Sequence, residues 1–199
     1  RTFNVNRRIV TPLAAAKNRT YDGTNEVEVE ISLSGVLNAD SEEVKASASG
    51  IMATPDAGTG KIVFVNEILL SGDAADNYIL SAESTQTSVD IARAEITEFS
   101  ISAEDKVYDG NTAAKAEITS LTGILPEDEG QVSLVGNAVF DEANAGERTV
   151  TYTASGLTGA KSGNYTLTDT AKTADAQAKI TPAQVIFSIG AASFIYDGK

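Results

Sequence analysis

Carboxylates are the groups with which this 199-residue chain is best supplied for chemistry. Asp40, Glu42 and Glu43 fall together, as do Asp128 and Glu129, and Asp73, Asp76 and Asn77 form a third group. Calcium would need six to eight such oxygens from a shaped loop. No Asp-x-Asp-x-Asp-Gly loop is present, and Lys161 and Gly163 stand near the places that match Asp73 and Asp76. These clusters therefore read as solvated acidic faces, with no metal site and no cofactor. Cys and His are both absent, so the chain has no thiolate or imidazole to serve as nucleophile, base or soft-metal ligand. It also lacks a phosphate-cradling Gly loop and a Gly-x-Ser-x-Gly elbow. The residue types point away from an enzyme.

Lys and Arg total 15 against 28 Asp and Glu, a formal charge of −13. A nucleic-acid backbone wants the opposite sign, so no nucleic-acid partner is expected. No stretch approaches the eighteen or so apolar residues of a membrane span, and no membrane contact is expected. No signal peptide is visible at Arg1. The last residues, Tyr196-Asp197-Gly198-Lys199, repeat a motif found earlier, so the chain is expected to be cut from a longer protein.

That motif exposes a repeat. Tyr21-Asp22-Gly23, Tyr108-Asp109-Gly110 and Tyr196-Asp197-Gly198 are spaced by 87 and 88 residues. Asn77-Tyr78-Ile79-Leu80 and Asn164-Tyr165-Thr166-Leu167 are also 87 apart, and Gly35-Val36-Leu37 and Gly123-Ile124-Leu125 are 88 apart. The period is too long for solenoid repeats of roughly 20–50 residues and suits a domain repeated in tandem. The expected division is 1–92, 93–182, and 183–199 as the first strand of a truncated third repeat.

The elements carrying these motifs read as strands. Val27, Val29, Ile31 and Leu33 alternate with Glu28, Glu30 and Ser32, and Val150, Tyr152 and Ala154 alternate with Thr149, Thr151 and Thr153. Phe99, Ile101 and Ala103 precede the second Tyr-Asp-Gly, and Val185, Phe187 and Ile189 the third. Short strands between Gly, Asn, Asp and Pro turns predict an all-β chain of tandem Ig-like β-sandwich modules. A small mixed α/β module with one helix over a sheet is the alternative. The acidic runs at 40–43 and 127–129 could each form a helical turn.

Within this frame the repeated residues are structural. Tyr21 and Tyr108 are expected to pack at a strand end. Asp22 and Asp109 then bond their own backbone, and Gly23 and Gly110 accept a positive φ and close the turn. Asn77 and Asn164 lead into strands whose Tyr78 and Tyr165 sit in the core with hydroxyls at the rim. A site for one substrate would not usually be duplicated in each repeat, so no catalytic residue is assigned. The joint at Ile91-Ala92-Arg93-Ala94-Glu95-Ile96 has no Gly or Pro and reads as one strand passing almost directly into the next repeat.

Lys106-Val107-Tyr108-Asp109-Gly110-Asn111-Thr112, Gly163-Asn164-Tyr165-Thr166-Leu167 and Ala178-Lys179-Ile180-Thr181-Pro182-Ala183 together resemble the YDG or MBG-type repeats. These are mostly bacterial Ig-like modules of large surface and adhesin-like exoproteins. The resemblance covers nearly the whole chain. It departs before Tyr21, where Asn18-Arg19-Thr20 stands, and at Asn4–Arg8, which replace the Ile-Thr-Pro-Ala lead. It implies an extracellular or bacterial cell-surface location and a non-catalytic spacer or stalk, whose partners are neighbouring repeats of the same chain. The alternatives are a module binding an extracellular glycan or host protein, and an accessory domain of a large extracellular enzyme.

Overall fold

The computed structural model describes residues 3–190 and 195–198. Among them the regular structure is all β, broken only by five short 3-10 turns. No helix stands over a sheet, so the mixed α/β alternative finds no counterpart among the described residues.

In the first half the strands are β1 (Arg8–Ala16), β2 (Arg19–Thr20), β3 (Glu26–Val27), β4 (Val29–Ser34), β5 (Lys45–Met52), β6 (Gly58–Ser71), β7 (Tyr78–Leu80) and β8 (Thr85–Ala92). They form a sheet in the order β2-β8-β6-β5-β3 and a smaller one in the order β4-β1-β7. The second half contributes β9 (Ala94–Ile96), β10 (Glu98–Ala103), β11 (Lys106–Val107), β12 (Ala116–Thr122), β13 (Ser133–Phe140), β14 (Gly146–Thr158), β15 (Tyr165–Leu167) and β16 (Thr173–Thr181). Its sheets run β11-β16-β14-β13, β10-β12 and β15-β9.

The pairing of the first half recurs in the second. β1 pairs antiparallel with β4 and parallel with β7, and β10 and β9 divide the same two roles with β12 and β15. The parallel pair β2–β8 is matched by β11–β16. Single backbone bonds agree as well. Tyr21 and Tyr108 donate their N–H groups to Ala92 and Thr181, each at 2.8 Å.

Alternation sets the faces. Val63 and Val65 of β6 are buried while Phe64 between them points outward, and Val89 and Ile91 of β8 repeat the pattern. These side chains meet Ala14, Ala16, Val29 and Ile31 of the smaller sheet, so the core lies between the two sheets. Phe99, Phe140, Val150, Tyr152 and Ile180 fill the equivalent space in the second half. Each fully buried Val or Ile contributes about 1.5–3 kcal/mol relative to exposure.

The segment Leu13–Ala16, Ala-rich and apt for a helix on propensity, lies within β1. Its side-chain alternation against β4 overrides that preference. Residues 183–190 and 195–198 carry no strand. The strand expected there is therefore not formed in its described part, and residues 191–194 and 199 lie outside the described residues.

Candidate functional site

The Tyr-Asp-Gly turns are built alike. Asp22 Oδ1 accepts the Thr24 N–H at 2.9 Å, and Asp109 Oδ1 accepts the Asn111 N–H at 3.1 Å. Gly23 and Gly110 both sit at φ 79°, a conformation that costs an L residue about 1–2 kcal/mol. A cation two residues before each Tyr ties the loop down. Arg19 pairs with Asp22 and donates to the Thr24 carbonyl, and Lys106 pairs with Asp109 and donates to the Asn111 carbonyl. Burial raises the Asp22 pKa, but the Thr24 hydrogen bonds and Arg19 outweigh it and leave the carboxyl below its usual value. Lys106, with the Asn111 N–H, does the same for Asp109.

What differs between the turns is where the ring goes. Tyr108 is 44% exposed, whereas Tyr21 is 4% exposed. Tyr21 leaves its own half and enters the second, where its hydroxyl donates to Asp128 Oδ2 at 2.9 Å. Tyr165 donates to the same oxygen at 2.7 Å, and its own oxygen accepts the Leu125 N–H at 3.1 Å. The Tyr21 and Tyr165 rings pack edge to face, an arrangement worth about 0.5–1.5 kcal/mol beyond area burial. A second set of bonds flanks the ring. Asn164 Oδ1 accepts the Ala57 N–H at 2.9 Å, and Asn164 Nδ2 donates to Asp56 Oδ1 at 3.1 Å. That amide is the largest cause of the lowered Asp56 pKa.

The backbone explains how Asp128 reaches this place. Pro126–Asp128 form a 3-10 turn closed by the Asp128 N–H on the Leu125 carbonyl, and Pro126 suits the first position of such a turn. The first half builds the same turn at Asn38–Asp40, where Tyr78 donates to Asp40 Oδ2 at 2.6 Å and accepts the Leu37 N–H. Asp40 is half-buried, whereas Asp128 is buried.

The site does not suit acid–base or nucleophilic chemistry. Burial, then the hydrogen bond and charge of Asp128, push the Tyr21 pKa up to about 12. Burial also raises that of Tyr165. Both hydroxyls stay protonated near neutral pH and act as donors to a buried carboxylate, a charge-assisted arrangement. No cluster of three or more potential metal ligands occurs among the described residues.

The family model of the YDG domain matches residues 6–87 and 93–174. The chain belongs to the YDG domain family. Neither the curated proteins nor the solved structures offer a match. YDG membership identifies the type of domain, and the chain contains no Cys or His. No helix among the described residues is long and apolar enough to cross a membrane.

The structure brings Tyr21, Asn164 and Tyr165 together, while Tyr78 bonds Asp40 and Leu37 within the first half and Tyr108, Asp109 and Gly110 stand outside the site. Asp128 is the residue that sequence reasoning assigned to a solvated face. The Tyr165 hydroxyl, expected at a rim, is instead sealed against it. A signal was present: Asp40 and Asp128 hold the 88-residue offset, beside tyrosines that hold one of 87.

Proposed function

We propose that the chain is a pair of tandem YDG modules of Ig-like β-sandwich type, spanning 1–92 and 93–182, with 183–199 opening a third. They act as a stiff spacer in the stalk of a secreted or cell-surface, adhesin-like bacterial protein. The observation that carries this reading is the insertion of Tyr21 onto Asp128 and Tyr165. It merges the core of the first half with the near end of the second: Val63, Val89 and Ile91 belong to one apolar cluster with Ile96, Val132 and Tyr165. Only Arg93 separates β8 from β9. A joint with one linking residue, a shared core and its own hydrogen bonds has little freedom to bend, unlike a Gly/Ser linker.

Small-angle scattering tests the reading. A maximum dimension near twice that of one module is expected. A compact profile, or one showing free hinging, would overturn the spacer and favour a binding module.

A further inference from the structure

We propose that the groove between β4 and β5 binds an extended peptide in which apolar and basic residues alternate, held as an added strand on the open edge of β4. The site lies on the flank of the first half alone and goes beyond the spacer reading without resting on it.

The groove arises where the chain changes sheets. Val27 pairs with Gly50 of the larger sheet, and Val29 pairs with Ala16 of the smaller one. At this crossing the sheets are close, and a Cβ on Gly50 would meet the Val29 and Val63 side chains at 2.7 Å. Beyond it they splay. A groove of about 610 Å³ opens between residues 29–33 and 44–48, a size usual for ligand clefts. Val29, Ile31, Ala46 and Ala48 face the apolar interior there, yet they are only half-buried.

The ends of the chain do not create this opening. The second half has a groove of about 400 Å³ at the same place, lined by Ile118, Leu121, Ile124 and Val132. It stays open although Ile124 and Val132 already pack against the core of the first half. One residue accounts for the larger space in the first half. Leu134 packs into the core of the second half, and the residue 88 positions earlier is Ala46.

Backbone and charge select the occupant. The Lys17 N–H bonds the Glu28 carbonyl, so in the antiparallel ladder Glu28, Glu30 and Ser32 turn their backbone groups to β1. Those of Val29, Ile31 and Leu33 point to the other edge, where β4 pairs with no strand among the described residues. An added strand would take these N–H and C=O groups. Its inward side chains would lie beside Ile31 and Leu33 and over Ala46 and Ala48, a place for apolar groups. Its outward side chains would stand beside Glu28 and Glu30. Glu28 pairs with Lys17 at 3.7 Å, both exposed, and no ion pair among the described residues includes Glu30. Opposite charges favour a cross-strand pair and like charges oppose it, so the outward residues of the occupant are basic. The same rule turns away a second copy, because β4 against β4 would bring these acids together in chains of charge −13.

Fluorescence anisotropy tests this with a labelled peptide, Thr-Val-Lys-Val-Lys-Val-Thr, and the intact chain up to about 1 mM, at about 10 mM ionic strength where screening is weak. Saturable binding is expected, and the amides of Val29, Ile31 and Leu33 should exchange more slowly in the complex. The same peptide with Glu for Lys should bind at least about tenfold more weakly. The double variant Glu28→Lys, Glu30→Lys, at exposed positions, should reverse that preference. Ala46→Leu copies the second half and should abolish binding without lowering the melting temperature. A peptide methylated on its backbone nitrogens keeps the side chains but loses its donors, and should not bind. Each of the following would overturn the proposal: no binding at about 1 mM, equal binding of the two peptides by parent or double variant, binding of the methylated peptide, or slow exchange at Ile31 from self-association without peptide. Scattering decides the spacer reading separately, whichever way the peptide result falls.

Discussion

Tyr21 and Tyr165 meet with ring centroids 5.6 Å apart and planes at 80°, and they share one carboxylate oxygen of Asp128. Asp128 is 2% exposed, and no ion pair among the described residues includes it. Its charge is met by tyrosine hydroxyls, and one of these comes from the other half of the chain.

Tyr21→Phe keeps the ring and removes one of the two donors to Asp128. A hydrogen bond to a charged group is worth about 1.5–3 kcal/mol, and a loss of that size is expected in urea unfolding of dilute protein. Tyr108→Phe, the same change in the same motif at an exposed ring, should cost under about 0.5 kcal/mol. Equal effects would show that the motif, not the joint, sets the value.

Asn164→Ala leaves the Ala57 N–H without its acceptor and Asp56 without its amide donor. A cost of about 1–3 kcal/mol is expected. Asn77→Ala, at the exposed counterpart, should be nearly silent. The Asp56 contribution has its own pH signature. Its carboxyl is held below the ordinary value, so the stability it brings is present above about pH 4 and lost as pH falls. Asn164→Ala should therefore reduce the slope of stability against pH on the acid side. An unchanged slope would separate Asp56 from the joint.

In alkali the sign is reversed. An unfolded tyrosine titrates near pH 10 and Tyr21 in the fold near 12, so the folded state holds its proton longer. The stabilisation is complete below about pH 10 and is lost as pH rises towards 12. For Tyr21 the span corresponds to about 2–3 kcal/mol. Absorbance of tyrosinate should show a component that ionises late, towards pH 12, and Tyr21→Phe should reduce it. A titration with no such late component would contradict the buried pair.

Gly159 has φ 110°, and a Cβ there would run into the Gln131 carbonyl; Gly72 has φ 106° and faces the Glu43 carbonyl in the same way. Because backbone cannot swing aside, Gly159→Ala and Gly72→Ala should each cost more than about 3 kcal/mol. Gly130, at φ 76° with nothing near, isolates the conformational part, and Gly130→Ala should cost about 1–2 kcal/mol. Thermal melts of the three variants give the comparison.

Much of the fold was legible in the sequence because alternation is local. Val150, Tyr152 and Ala154 announce a buried face without reference to anything distant, and Asp22 and Gly23 specify their turn within three residues. The joint was legible only in outline. Tyr21 and Tyr108 stand in the same motif, and nothing nearby separates the buried ring from the exposed one. The difference lies in Asp128, 107 residues further on. Asp128 in turn reads as one more acid in an acidic run, because its burial is created by a side chain from another part of the chain. The same is true of Asn164, whose partner Ala57 contributes only a backbone N–H and so leaves no mark in the sequence.

The direct passage of β8 into β9 has a mechanical consequence. β1 and β8 enter and leave the first half pointing the same way, since β2, which continues β1 after two residues, pairs parallel with β8. Tension applied through the chain would draw β1 and β8 along their own axes in opposite senses. The ladders that hold them, β1 to β4 and β6 to β8, lie across that direction. Their hydrogen bonds would be loaded together in shear instead of being peeled open one at a time, which is the geometry in which a β ladder best resists force.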